Sequence, residues 1–215
     1  MIVVLLGPPG SGKGTQGERV AAALGVPKIS TGDVLRSAAK AGTALGVEAK
    51  AYMDRGDLVP DAVILGIMKE ALSAPEQARG VVLDGVVRTV PQAEGLARVA
   101  VEIGKRVDVV LLFDIADEEL VSRLSSRTTC GACQTPFAGR QPGESHAECT
   151  VTPKGTLVRR VDDEPESIRN RLRVYKAQTE PVVAWYRSHG GNVASIDASG
   201  TFAEVEARAL RAVGR

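Results

Sequence analysis

Gly7-Pro8-Pro9-Gly10-Ser11-Gly12-Lys13-Gly14-Thr15 is the stretch that decides the fold. It follows an apolar run, Ile2-Val3-Val4-Leu5-Leu6, that reads as a buried parallel strand. It precedes Gln16 to Leu24, where Val20, Ala21 and Leu24 recur at helical spacing and Gly25 supplies a stop. Strand, glycine-rich loop and helix together make a cradle for phosphate. Glycines let backbone N–H groups turn inward onto phosphate oxygens. The free N–H groups and positive dipole end of the helix face the same anion, and Lys13 adds a full charge. The usual spacing is G-x-x-x-x-G-K-[ST]. Here Gly14 separates Lys13 from Thr15, so the hydroxyl comes one residue late. The plain alternative is a glycine-rich turn with a solvated lysine. It leaves the order of strand, loop, lysine and hydroxyl unexplained.

The chain has 215 residues, which suits one α/β core with insertions. Hydrophobic residues at 44% supply a sizeable core, and aromatics at 3% leave Val, Leu, Ile and Ala to fill it. A net charge of +1, from 27 basic and 26 acidic residues, argues against non-specific nucleic-acid binding and against a basic membrane surface. Anion binding must then come from local cations. The opening apolar run is too short to span a bilayer, and no positive segment precedes it as in a secretory signal. A soluble cytoplasmic protein is expected. Three cysteines without such a signal argue against a disulfide framework.

Four further apolar runs read as strands: 26–29, 81–83, 107–113 and 193–196. Helical patterns lie between them at about 32–40, 44–54, 61–73, 91–103, 117–127, 164–188 and 201–213. Asp61 after Pro60, Pro91 after Thr89, and the Thr201/Glu204 pair are start signals. Strands alternating with helices imply an α/β fold with a doubly wound, five-stranded parallel sheet flanked by helices. Two stretches break the rhythm. Residues 30–59 add helices without a strand, and 128–163 are rich in Gly, Pro, Thr and Cys. A structureless loop of that length is unusual in a core, so both read as small inserted subdomains at the sheet edge where phosphate binds.

Four more segments fit the same picture. Ser30-Thr31-Gly32-Asp33 leads to Arg36. Asp84-Gly85 ends a strand and leads to Arg88-Thr89 and Gln92. Arg123 and Arg127 are expected four apart on one helix face. Arg159-Arg160, Asp162-Asp163 and Arg171 come late. In this order and spacing the sequence resembles the adenylate kinase family, in its long-lid bacterial type, over essentially the whole chain. The glycine-rich loop alone would mark only a P-loop protein. The resemblance implies a CORE domain (1–29, 60–125 and 164–215), an NMP-binding insert (30–59) and a LID insert (126–163).

It also implies an activity: reversible phosphoryl transfer from Mg2+-bound ATP to AMP, giving two ADP, in a monomer. Such a transfer gathers several negative oxygens in line, so catalysis is mostly positioning and charge stabilisation. Arginine suits the task because its planar fork grips phosphate oxygens in pairs and keeps its proton. By the resemblance, Lys13 and the amides of Gly10, Ser11, Gly12, Lys13, Gly14 and Thr15 hold the ATP phosphates. Arg36 and Arg88 hold the AMP phosphate. Arg127, Arg160 and Arg171 close over the transferring group. Arg123 lies against the ATP adenine, with Pro136, Phe137 and the backbone near Gly200 completing that pocket. Asp84 holds Mg2+ through water. The acceptor is already an anion, so no general base is needed. Taken singly, Arg36 could be a solvated helix residue, Asp84 a turn cap, and Arg123 or Arg127 a partner of Glu118 or Glu119. Asp162 and Asp163 fit a hinge or lid salt bridge as well as a contact to metal-bound water.

In the same resemblance Thr31 and Gln92 face the AMP adenine, with backbone from Asp57, Leu58 and Val59. Relatives that phosphorylate UMP or CMP tend to have a small apolar residue and Asn there. This chain has the adenine set. It departs from the family at Asp84-Gly85-Val86-Val87-Arg88-Thr89, where Asp-Gly-Phe-Pro-Arg-Thr is usual. The family's Phe-Pro bond is cis, and a cis bond between two valines would cost about 3–4 kcal/mol. A trans Val86–Val87 bond, or a re-formed loop, and weaker AMP binding beside Gly85, Val86 and Val87 are expected.

The lid carries Cys130-Gly131-Ala132-Cys133, a zinc-knuckle spacing, and Cys149 adds a third thiolate. Zinc-holding relatives end the set in Cys or Asp, and zinc-free ones use a hydrogen-bonded set ending in Thr. Thr152 falls at that fourth place, and neutral threonine is a poor ligand. His146 is an alternative. Zinc there would be structural, bracing the lid. The alternative is a metal-free knuckle.

Four functional readings follow. The first is the adenylate kinase reaction. A variant of it has an altered acceptor preference. Another is an NTP-hydrolysing switch, weakened by the missing Asn-Lys-x-Asp motif and by arginines already supplied in cis. The last is a non-enzymatic nucleotide or nucleic-acid module built on the CxxC knuckle, disfavoured by near-zero charge and few aromatics. ATP, AMP and ADP are the expected partners, with no nucleic acid and no membrane.

Overall fold

A computed structural model of the chain describes residues 1–73 and 79–215. Its core is one sheet of five parallel strands in the order β2-β3-β1-β4-β8. These strands are β1 (Ile2–Leu6), β2 (Lys28–Ser30), β3 (Val81–Asp84), β4 (Val107–Asp114) and β8 (Val193–Asp197). The central strand, β1, is buried along its whole length. Its alternation splits the core in two. Ile2, Val4 and Leu6 pack with Met68, Leu96, Val110 and Val182 on one face. Val3 and Leu5 pack with Val20, Leu111, Phe113 and Val205 on the other. Aliphatic side chains fill both layers, as the scarcity of aromatics requires, each worth roughly 1.5–3 kcal/mol when fully buried.

Helices cover both faces: α1 (Lys13–Leu24), α4 (Asp61–Ser73), α5 (Val90–Glu102), α6 (Asp117–Ser125), α7 (Pro165–Val174), α8 (Glu180–Ser188) and α9 (Phe202–Ala212). Thr201 caps α9 in the reciprocal pattern with Glu204 that the sequence suggests. Between β2 and α4 stand α2 (Thr31–Lys40) and α3 (Ala44–Arg55), packed around Leu35, Ala49, Val59 and Ile64. Between α6 and α7 stands a separate antiparallel sheet. Its strands are β5 (Arg127–Cys130), β6 (Pro136–Ala138) and β7 (Leu157–Val158), in the order β6-β5-β7. The small sheet has an apolar centre at Cys130, Cys149 and Leu157, while the cluster at Leu35, Ala49 and Val59 is shared with Ile64 of α4.

Two expectations need correction. The helix expected over 117–127 ends at Ser125, and Arg127 opens β5, so Arg123 and Arg127 do not share a helix face. The Ser126 hydroxyl bonds back to the carbonyl oxygens of Ser122 (2.9 Å) and Arg123 (3.3 Å), and Thr128-Thr129 prefer a strand. The helix expected over 164–188 is interrupted by one π turn, Tyr175–Thr179. Pro181 just beyond it has no N–H to close an ordinary turn, and the backbone widens instead. Among the described residues the only cis peptide is Thr152–Pro153, so Val86–Val87 is trans as expected.

Candidate functional site

The five strands of the main sheet run parallel, so their C-terminal ends gather at one edge of it. The glycine-rich loop leaves β1 there and Asp84 ends β3 beside it. Gly7 sits at φ +141°, where a Cβ would lie 2.4 Å from the Phe113 carbonyl oxygen, so the loop can leave the strand only with glycine at that point. The loop passes directly into α1, whose N-cap, Gly12, has no side chain to satisfy the first amides. Those amides remain available to an anion.

Two cavities that share lining residues open over this edge. The larger, about 890 Å³, is lined by the whole loop from Gly10 to Thr15, by Asp84, and by Arg123 and Arg127. Pro136, Phe137 and Gly200 line its far side. The smaller, about 70 Å³, lies under α2 and α3 and is lined by Thr31, Asp57, Leu58, Val59 and Gln92. Arg36, Arg88, Arg160 and Arg171 line both, as does Gly85. The loop, Arg123, Arg127, Pro136, Phe137 and Gly200 thus line the larger cavity, Thr31, Asp57, Val59 and Gln92 line the smaller, and Leu58 and the four arginines line both. Val87 lines the larger cavity. Val86 lines neither; its side chain is 1% exposed and packs in the core with Leu83 and Val110. Packing against a base is therefore not what position 86 contributes in this chain.

The cations are held in defined poses. Lys13 Nζ donates to the carbonyl oxygens of Gly7 and Pro8, at 2.7 and 2.8 Å. Burial, opposed by Asp84 and helped by Arg88, Arg171 and Arg127, pulls its ammonium pKa down to about 7. Arg36 pairs with Asp33, and among the described residues its buried Nε has no partner. Burial and the neighbouring Arg160 lower its pKa. Arg127 grips Asp163 through Nε and Nη2, and Arg160 grips Asp162 through the same two atoms at 2.8 and 2.7 Å. Arg171 bridges both, 3.1 Å from Asp162 Oδ2 and 3.2 Å from Asp163 Oδ1. Burial lowers Arg171 to about 10, against the pull of Asp162. Burial raises Asp162, but Arg171 and Arg160 outweigh it and hold the carboxyl well below the usual range. Of the alternatives left open for Asp162 and Asp163, the structure contains the salt bridges. Three arginines against two carboxylates leave this group with a surplus positive charge.

Gly85, at φ +68°, lets the turn after β3 close up: a Cβ there would lie 2.9 Å from Arg88 Nη2. Thr31 Oγ1 donates to the Gly85 carbonyl oxygen over 2.7 Å. Arg123 donates to Glu119 (2.6 Å) and to the Ala198 carbonyl oxygen (2.9 Å), which ties α6 to the loop after β8. Sequence reasoning did not find Thr179, whose hydroxyl donates to the Arg88 carbonyl oxygen at 2.8 Å, nor Asn170, which donates to Arg55 O and Asp57 Oδ1. Pro181 in a long helical pattern was the available signal for the π turn that ends at Thr179.

In the small sheet, Cys130, Cys133, His146 and Cys149 converge, with their ligand atoms all within 4.8 Å of one another. Cys130 and Cys149 sulfurs are 3.8 Å apart, and Cys133 Sγ is 3.3 Å from His146 Nδ1. Bonds of about 2.3 Å to sulfur and 2.0 Å to nitrogen in a tetrahedron fit such separations. Burial pushes the Cys130 thiol up, but amide hydrogen bonds from Cys133 and Ala132 outweigh it and bring it to about 6. Thr152 is exposed and outside this cluster, and His146 takes the fourth place.

A strand–glycine loop–helix cradle facing a cleft bridged by arginines defines a nucleotide-phosphate-binding α/β protein of the P-loop class. The adenylate kinase family profile matches residues 5–191, and the chain belongs to that family. It is 65% identical to the adenylate kinase of Gemmatimonas aurantiaca over 213 residues, 99% of each chain. It is 46% identical to that of Methanothrix thermoacetophila, over 95% of this chain and 94% of the relative. It is 45% identical to that of Thermodesulfovibrio yellowstonii, over 95% of each. Among the described residues no helix is long and apolar enough to cross a membrane.

Proposed function

We propose that the chain moves the terminal phosphoryl group of Mg2+-bound ATP onto AMP, reversibly, giving two ADP. The observation that carries this reading is the set of four arginines, Arg36, Arg88, Arg160 and Arg171, common to two adjoining cavities. A hydrolase needs one nucleotide cavity and a water. Two cavities with cations at their junction suit a donor and an acceptor that are both anionic.

In this reading the loop amides and Lys13 hold the donor phosphates, and Arg36 and Arg88 hold the acceptor phosphate. Arg127, Arg160 and Arg171 neutralise charge on the group in transit. To do so they trade part of their bonding to Asp162 and Asp163 for phosphate oxygens. Those carboxylates would hold the arginines in the cleft between turnovers. Asp84, beside Lys13 at the end of β3, would orient water on the magnesium that arrives with ATP. Residues 30–59 and 126–163 act as the acceptor-side flap and the lid, closing to exclude water so that ATP is not lost to hydrolysis. Lys40 in α2 already reaches toward the Gly131 carbonyl oxygen in the turn after β5, at 3.4 Å.

Cys130, Cys133, His146 and Cys149 would hold a structural zinc ion. Zinc there cross-links the turn after β5 to the 146–149 turn and stiffens the lid without touching the reaction.

The test is a coupled assay with ATP, Mg2+ and each nucleoside monophosphate. ADP formation that depends on AMP is expected. Phosphate release without an acceptor would sink the reading in favour of a hydrolase, and a preference for UMP, CMP or GMP would reassign the acceptor.

A further inference from the structure

The amide of Gln92 has only one orientation open to it, and Asp61 is one of the two groups that set it. Gln92 is 1% exposed. Its Oε1 accepts from the Arg88 backbone N–H at 2.7 Å, and its Nε2 donates to Asp61 Oδ1 at 2.7 Å. A backbone N–H can only donate and an ionised carboxylate can only accept. Turning the amide over would set donor against donor at one end and acceptor against acceptor at the other. Asp61 Oδ1 also accepts from the Thr89 hydroxyl at 3.0 Å, and that hydroxyl accepts from the Gln92 N–H at 3.3 Å. One carboxylate oxygen therefore orders the helix cap and the side chain together. Asp61 opens α4 between Val59 and Ile64, both of which line the smaller cavity.

With those two bonds made, Gln92 retains one N–H and one lone pair. A donor beside an acceptor complements an adenine edge, which offers the reverse pair. Guanine offers two acceptors at O6 and N7 and would set one of them against the amide oxygen. We propose that Asp61 is a positioning residue that sets the acceptor-base selectivity of this enzyme by locking the orientation of the Gln92 amide. The proposal rests on the reading that Gln92 faces the acceptor base. A purely structural Asp61 would join α4 to α5 and affect both substrates alike.

The test compares Asp61→Ala, Asp61→Asn and Gln92→Ala with the parent enzyme. KM for AMP and for ATP, the ratio of kcat/KM for AMP over GMP, and thermal melting are measured. Losing a hydrogen bond to a charged group corresponds to roughly 10- to 100-fold in KM for AMP. Asp61→Ala should show that loss with a narrowed AMP/GMP ratio and an unchanged KM for ATP. Asp61→Asn, which keeps an acceptor oxygen, should recover most of it. If KM for ATP rises as much as KM for AMP, the role is structural and the proposal fails. It fails too if Asp61→Ala leaves AMP binding and the ratio intact while Gln92→Ala raises KM for AMP. If Gln92→Ala has no effect on AMP either, the placement of Gln92 at the base falls and takes the proposal with it. Asp61→Glu keeps the charge but displaces it by one methylene, and serves if Asp61→Ala does not fold. A narrowed ratio in that variant supports the proposal and an unchanged ratio overturns it.

Discussion

Lys13 points its ammonium at the carbonyl oxygen of Gly7, 2.7 Å away and six residues back in its own loop. It shares the Pro8 carbonyl in the same way. A cation so placed, buried among arginines, keeps its proton weakly, with a pKa near 7 instead of 10.5. Two consequences follow from the sign. Between about pH 7 and 10.5 the unfolded chain holds a proton at Lys13 that the folded chain lacks, so this group's destabilising share shrinks as pH rises through that window. A polyphosphate in the cradle restores the charge, so nucleotide binding above pH 7 takes up a proton. Titration calorimetry with ATP in buffers of different ionisation heat should show uptake approaching one proton per site at pH 8, and little at pH 6. Lys13→Met should abolish the uptake and lower kcat roughly 10²- to 10³-fold. Equal turnover in that variant would remove the lysine from the mechanism.

Thr179 should matter for rate though it need touch no substrate. Its hydroxyl holds the Arg88 carbonyl, while Gln92 Oε1 holds the Arg88 N–H, so the peptide groups on both sides of this arginine are fixed. The π turn that ends at Thr179 sets where on the helix this hydroxyl faces. Thr179→Val keeps the volume and removes the donor. A fall in kcat of about tenfold, from loss of one hydrogen bond's worth of positioning, is expected, with Thr179→Ser restoring most of it. If Val and Ser variants behave alike, the bond does not position Arg88.

The five strands, the phosphate loop and the order of the arginines were legible because each has a local cause. Strand β1 is a run of five apolar residues, and Gly7 to Thr15 carries its own backbone requirements. What was not legible depends on partners far apart in the chain. Arg127 looked helical by spacing from Arg123, yet its strand register with Ala138 and its grip on Asp163 place it in the small sheet. Asp61 read as a helix start and turned out to hold Thr89 and Gln92, 28 and 31 residues away. Val86, expected beside AMP, lies in the core and lines neither cavity. In each case tertiary packing overrode the local pattern or, at Asp61, added to it, and a single sequence holds no record of it.

Acid stability should depend on Asp162. Its pKa is depressed, so the stability it adds is present above its ordinary value of 3.8 and is lost as pH falls below that. Thermal melts taken from pH 5 downward should show the parent losing stability faster than Asp162→Asn, whose neutral amide has no such proton to take up. The variant should also be less stable at pH 7, because Arg160 and Arg171 lose a counter-charge while half-buried. Parallel curves for the two proteins would show that these arginines draw little from Asp162.

The cysteine–histidine cluster makes a prediction that separates lid from chemistry. Metal analysis of the purified protein should find close to one zinc per chain, and His146→Ala should lower it, since three thiolates alone leave the tetrahedron open. Thr152→Ala should not change it, because Thr152 lies outside the cluster. Chelation should lower the melting temperature, since binding free energy in such a site is folding free energy. The proton balance of nucleotide binding should stay as it was, since Lys13 belongs to the loop after β1 and not to the small sheet. Zinc far below one per chain in the parent protein would assign the cluster to a metal-free hydrogen-bonded knuckle, with Cys133, His146 and Thr135 already within 3.3 Å contacts of one another through the Cys133 sulfur.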